Sequence, residues 1–118
     1  MLIVHTTFAK RGEAEKAAAT IIKERLAACA SVFPVKSFFI WKGEFTAQRE
    51  FVLELKINDG SYQKAEKRIL SLHSYSLPQI IAFEVKRGSR EYLQWAQMDA
   101  KVKKHLKHLE ARRQIHAY

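Results

Sequence analysis

Two long β-prone runs separated by Lys42-Gly43-Glu44 constrain this chain more than any other feature. The first, Val35 to Trp41, is rich in aromatics and follows Pro34, which reads as a boundary. The second alternates: Phe51, Leu53, Leu55 and Ile57 point one way, and Glu50, Glu54, Lys56 and Asn58 the other. A period of two belongs to a strand buried on one face, and the glycine supplies turn chemistry, so the runs form a hairpin. Its strands span roughly 35 Å at about 3.3 Å per residue. A domain of this length has a radius of gyration of about 13 to 14 Å, so the hairpin must overhang its own core. Phe39 and Trp41 lie on one side of the first strand and Phe38 and Ile40 on the other, so neither side suits water. A second copy is the natural cover, and a closed ring leaves no strand edge hanging. A homo-oligomer is therefore expected, with a C-terminal helix folded back over the surface as the alternative.

The remaining elements follow from period and punctuation. Leu2 to Thr7 reads as a strand, ended by Lys10-Arg11-Gly12. From Glu13 the period changes, and Ala14, Ala18, Ile22, Leu26 and Cys29 form the apolar stripe of a helix. Asn58-Asp59-Gly60-Ser61 caps a second helix with the stripe Tyr62, Ala65, Ile69 and Leu72, ending near His73. Pro78 forbids continuation, Gln79 to Lys86 reads as a strand, and Ser89 caps a third helix. The order is β-α-β-β-α-β plus a C-terminal helix. This predicts an α+β, ferredoxin-like antiparallel sheet with two helices on one face. One domain spans residues 1–98, and residues 99–118 form a basic helical extension of it.

Composition narrows the function classes. The formal charge of the 118 residues is +9, and Lys101, Lys103, Lys104, Lys107, Arg112 and Arg113 face only Glu110 in the last stretch. Trp95, Met98, Val102, Leu106 and Leu109 continue one helical stripe, so a long basic amphipathic helix is expected there, packed along the oligomer. An anionic surface or nucleic acid would also suit it, but nucleic acid is not the expected partner. Cys29 is the only cysteine, so no disulfide forms within a chain and a reducing, cytoplasmic location is the simplest reading. The first residues lack a signal-peptide pattern and no apolar run approaches the roughly 20 residues of a membrane span. A soluble chain without a membrane partner is expected.

The chemistry-bearing residues are few. The glycines Gly12, Gly43, Gly60 and Gly88 all stand at element junctions, leaving none for a phosphate cradle, and no nucleotide or hydrolase motif occurs. Cys29, at the end of an apolar stripe, reads first as core and second as a ligand or nucleophile. His73 reads first as a helix C-terminal cation that meets the last carbonyls, and second as a metal ligand or a general base. Tyr75 and Pro78 read as loop packing or as a pocket rim. Glu44, Glu50 and Glu54 read as a solvated face. His105 and His108 stand three apart, too few donors for a metal alone. No catalytic set is complete, and no enzyme is expected.

Taken in register, Leu26-Ala27-Ala28-Cys29, Pro34, Ser37, Trp41-Lys42-Gly43, His73-Ser74-Tyr75, Pro78, Ile80-Ile81-Ala82, Gly88 and Tyr92-Leu93-Gln94-Trp95 resemble the CutA divalent-cation tolerance proteins. The resemblance covers roughly residues 1 to 98. It implies a ferredoxin-like fold, a homotrimer built through the long hairpins, a cytoplasmic location in bacteria and a role in divalent-metal response. It also implies binding of Cu(II) or other divalent metal ions through cysteine and histidine, here Cys29 and His73, with no required cofactor. Some members carry a further cysteine near the end of the first strand, where this chain has Thr6. Similar trimers among nitrogen-regulatory signalling proteins bind small molecules between subunits. By that analogy Trp41, Lys56, His73 and Tyr75 are the candidates to line an inter-subunit cleft.

Overall fold

The computed structural model describes residues 1–98. Four strands and three helices follow in the order β1 (Leu2–Phe8), α1 (Arg11–Lys23), β2 (Cys29–Trp41), β3 (Glu44–Ile57), α2 (Tyr62–Leu72), β4 (Ile80–Glu84) and α3 (Arg90–Gln97), with a short 3-10 turn at Asp59–Ser61 before α2. The strands form one sheet in the order β2-β3-β1-β4, every neighbouring pair antiparallel. This is the expected ferredoxin-like topology.

The alternation of β3 builds the core. Leu53, Leu55 and Ile57 are fully buried with Val4 and Phe8 of β1, against Ala14, Ala17 and Ile21 of α1 and Ala65 and Ile69 of α2. Of the expected stripe Ala14, Ala18, Ile22, Leu26 and Cys29, Ala14 is buried, but Ala17 and Ile21 take the core positions in place of Ala18 and Ile22. Leu26 and Cys29 lie beyond the helix, and Cys29 is the first residue of β2.

Why α1 stops is visible in its last turn. Arg25 N–H donates to the Ile22 carbonyl and Leu26 N–H to the Ile21 carbonyl, both at 3.0 Å. That pairing closes a helix when the residue after the cap is left-handed, a place usually taken by glycine. Here Arg25 holds a φ of 61°.

The hairpin is longer than its sequence punctuation suggested. Pro34 does not end an element; β2 runs through it. An edge strand tolerates a residue without an N–H, and among the described strands β2 is hydrogen-bonded only to β3. The tip is a two-residue turn with Lys42 at φ 50° and Gly43 at φ 83°, the mirror-image turn whose twist matches that of paired strands. Thirteen and fourteen residues per strand give about 43 and 46 Å. The described residues accordingly extend 57 × 27 × 23 Å with a radius of gyration of 16.2 Å. At the overhang Phe38, Ile40 and Phe45 are 63, 72 and 73% exposed.

β4 is shorter than the predicted Gln79 to Lys86, and Ser89 precedes α3 in extended conformation without a side-chain cap bond. α3 ends at Gln97, with Met98 extended, so no continuous helix passes through Met98. The expected basic helix beyond it lies outside the described residues, as do His105 and His108. Among the described residues no helix is long and apolar enough to cross a membrane.

Glycine at the left-handed position removes the Cβ clash, while its larger unfolded freedom cancels part of the gain. Arg25→Gly should therefore stabilise the fold by about 0.5–1 kcal/mol, read as a higher urea midpoint at unchanged slope. A lower midpoint would refute this account of the α1 terminus.

Candidate functional site

Pro78 and the extended backbone of His73 take the chain out of α2 and around the end of β1 before β4 begins. The segment from His73 to Gln79 closes over the sheet face that carries no helices. His73 is its anchor: the imidazole stacks on Phe8 with centroids 4.1 Å apart and planes 11° from parallel. Its Nδ1 accepts the Tyr75 N–H at 3.2 Å, which assigns the remaining proton to Nε2 in the neutral ring. Ser74 donates to the Glu13 carboxylate at 2.9 Å, tying the segment to the first turn of α1.

Tyr75 carries the segment into the sheet. Its hydroxyl donates to Glu50 Oε2 at 2.8 Å and accepts from Gln48 Nε2 at 3.0 Å. Glu50 is therefore not on a solvated face as expected; it is 6% exposed. Val52, next but one on the same side of β3, is also buried. Glu44 is exposed and Glu54 partly so.

Between this segment and the overhang lies a cleft of about 660 Å³, lined by Phe39 and Trp41 of β2, Thr46, Gln48 and Glu50 of β3, and Ser74 to Leu77. Burial, then the Glu50 carboxylate, push the Tyr75 phenol up to about 12, so it remains a hydrogen-bond donor throughout the physiological range. Burial pushes His73 below its ordinary value, against the opposing pull of the Thr7 backbone, Glu13 and Glu50. His73 Nε2 is buried and lacks a partner of good hydrogen-bond geometry among the described residues. The arrangement is suited to holding a ligand: a buried carboxylate with acceptor capacity beyond its bond from Tyr75, and aromatic walls.

Of the four cleft candidates, Trp41 and Tyr75 line the space, and His73 backs it through Tyr75. Lys56 does not: it pairs with Cys29 and with Ile3, near the start of β1. The same register separates Cys29 from His73. Cys29 stands level with Ile3 and His73 packs on Phe8, five residues or about 17 Å along the strand. One subunit does not bring the two together, and no group of three or more metal-binding side chains gathers among the described residues. Thr6 is fully buried, and its hydroxyl has no hydrogen-bond partner among the described residues. Sequence reasoning missed Gln48 and Glu50. The apolar run Phe51-Val52-Leu53, which interrupts strict alternation, was the available signal that both faces are covered there.

The family model described as CutA1 divalent ion tolerance protein matches residues 2–99. The chain belongs to this family. Among CutA relatives, the divalent-cation tolerance protein of Pyrococcus horikoshii is 37% identical over 95 residues, covering 80% of this chain and 93% of that protein. The one from Archaeoglobus fulgidus is 35% identical over 92 residues, covering 78 and 90%. Among solved CutA structures, the crystal structure of CutA1 from P. horikoshii superposes with a TM-score of 0.78 at 35% identity, covering 81% of this chain and 94% of that one. The apo PII-like protein CutA of Nostoc sp. PCC 7120 gives 0.77 at 30% identity, covering 82 and 94%.

The lowered affinity of folded His73 for protons has a defined sign. Above the ordinary value of about 6.5 both states are neutral; as pH falls through it, the unfolded chain binds a proton that the folded one refuses, so stability declines. The urea midpoint should fall between about pH 7 and pH 5, and less steeply in His73→Phe, which keeps a ring against Phe8. Identical slopes in both proteins would show that His73 is not the titrating group.

Proposed function

We propose that this CutA-family chain is a non-catalytic homotrimer of divalent-metal response, acting in the cytoplasm through clefts that neighbouring subunits complete. The observation that carries the reading is the overhang: a hairpin tip with exposed Phe38, Ile40 and Phe45 beyond the reach of its own helices. Among the described residues β2 and β4 are the edges of the sheet, where another copy could pair. A heterologous contact repeated around a closed ring also explains Lys56. It lies at the opposite end of the helix-free face from the cleft, so head-to-tail contact would bring one subunit's Lys56 toward the next subunit's Glu50. That carboxylate has no basic partner among the described residues. In such a ring Trp41, His73 and Tyr75 of one subunit would meet Lys56 of another.

For metal, soft thiolate and imidazole donors suit copper, and Cys29 and His73 would each act with donors of an adjacent subunit. A small-molecule-sensing or adaptor trimer is the second reading. It is favoured by the cleft, whose volume falls within the range of ligand pockets, and by the PII-like description of the Nostoc relative. The cytoplasmic assignment rests on the lone cysteine; the Arabidopsis relative is named chloroplastic and the A. fulgidus structure periplasmic.

Light scattering on the eluting protein should give three times the chain mass of 13.7 kDa. A monomer mass sinks the assembly. Calorimetric titration with Cu(II) and Zn(II) should show binding weakened at least about tenfold in Cys29→Ser and in His73→Ala. Unchanged affinity in both removes them as ligands.

A further inference from the structure

His5 is the middle residue of β1, an inner strand, and its side chain stands on the helix-free face opposite Glu54 of β3 and Ile81 of β4. His5 Nε2 lies 2.8 Å from Glu54 Oε1, and the two side chains are 28 and 26% exposed. The rings of Phe33 and Phe83 meet the imidazole edge-on at 6.5 and 5.1 Å and hold its plane. Around His5 this face carries exposed apolar side chains: Phe33, Ile81 and Phe83 are 37, 42 and 47% exposed.

A carboxylate acceptor on Nε2 assigns the proton there and leaves the lone pair on Nδ1. That nitrogen makes no hydrogen bond among the described residues and is not one of the buried unpartnered atoms. An imidazole oriented by a carboxylate on one nitrogen, with the other free and apolar side chains around it, is the arrangement of a metal ligand with its supporting group. A cross-strand polar pair serving only the sheet would need neither the free nitrogen nor the aromatic clamp.

We propose that His5 is a metal ligand through Nδ1, positioned by Glu54, in a site for Zn(II), Cu(II) or Ni(II) that equivalent histidines of neighbouring copies complete. The inference rests on the ring assembly proposed above. In that ring, a central position on the face left bare by the helices would be where three copies around one axis converge. Three imidazoles supply nitrogen donors that suit these ions and leave a further position open to water. The site is separate from the cleft: His5 pairs with Glu54, four residues along β3 from Glu50.

The test is titration of the full chain with Zn(II) alone, on material of measured mass, together with the Cu(II) electron paramagnetic resonance spectrum. With Cys29→Ser and His73→Ala both introduced, so that the cysteine and histidine site proposed above does not contribute, the expected result is one ion per three chains, with nitrogen hyperfine structure in the copper spectrum. Glu54→Gln, close to isosteric, should weaken binding about 10- to 100-fold while the trimer mass persists. His5→Phe, which suits the aromatic surroundings, should abolish this site and its nitrogen signal. Cys29→Ser and His73→Ala should leave it in place. A trimer whose zinc affinity and copper spectrum are the same in His5→Phe overturns the proposal and leaves the assembly standing. A monomer mass overturns both.

Discussion

The pairing of β2 with β3 along their whole length is the constraint on which the rest of the molecule depends. Its register, from Cys29 opposite Lys56 to Trp41 opposite Glu44, is closed by a two-residue turn that leaves no slack. A slip of one residue would exchange the two faces of β3. Leu53, Leu55 and Ile57 would leave the helices, and Glu50 and Glu54 would enter the core. The same register that builds the core therefore presents Gln48 and Glu50 to the segment after α2, and Glu54 to His5.

A carboxylate as buried as Glu50 is costly unless its oxygens are satisfied. Tyr75 meets part of that requirement, and the Tyr75 position in turn requires His73 to be stacked on Phe8 with its Nδ1 accepting the Tyr75 N–H. The imidazole is therefore held in the neutral tautomer by the loop it organises. The helix stop, the proline and the aromatic residues of this segment form one mechanical unit, with the cleft as its open side.

Much of the fold was legible because its signals are local. Alternation in β3, the capping run before α2 and Pro78 after it each act within a few residues. What was not legible depends on neighbours distant in sequence. Pro34 looked like a boundary because strand membership of a proline turns on whether its strand is an edge. The stripe of α1 was misplaced because an alanine-rich helix offers several equivalent faces, and only the packing against β3 and α2 chooses Ala17 and Ile21. Glu50 read as solvent-facing because its cover, Tyr75, arrives from 25 residues away. His5 carried no signal at all until Glu54 was placed opposite it.

The positions of Cys29, Lys56 and His73 bear directly on the proposed assembly. The family resemblance joins Cys29 with His73 and the fold analogy joins Lys56 with His73, yet the sheet register sets Cys29 and Lys56 about 17 Å from His73 in a single chain. Strands cannot bend to close that distance without breaking the ladder that holds the hydrophobic core. A neighbouring copy can close it by translation and rotation alone, and the overhanging hairpin supplies an apolar surface through which to do so. In the proposed ring, the length of β2 and β3 would both set Cys29 far from His73 within a subunit and supply the surface through which a neighbouring copy brings them together.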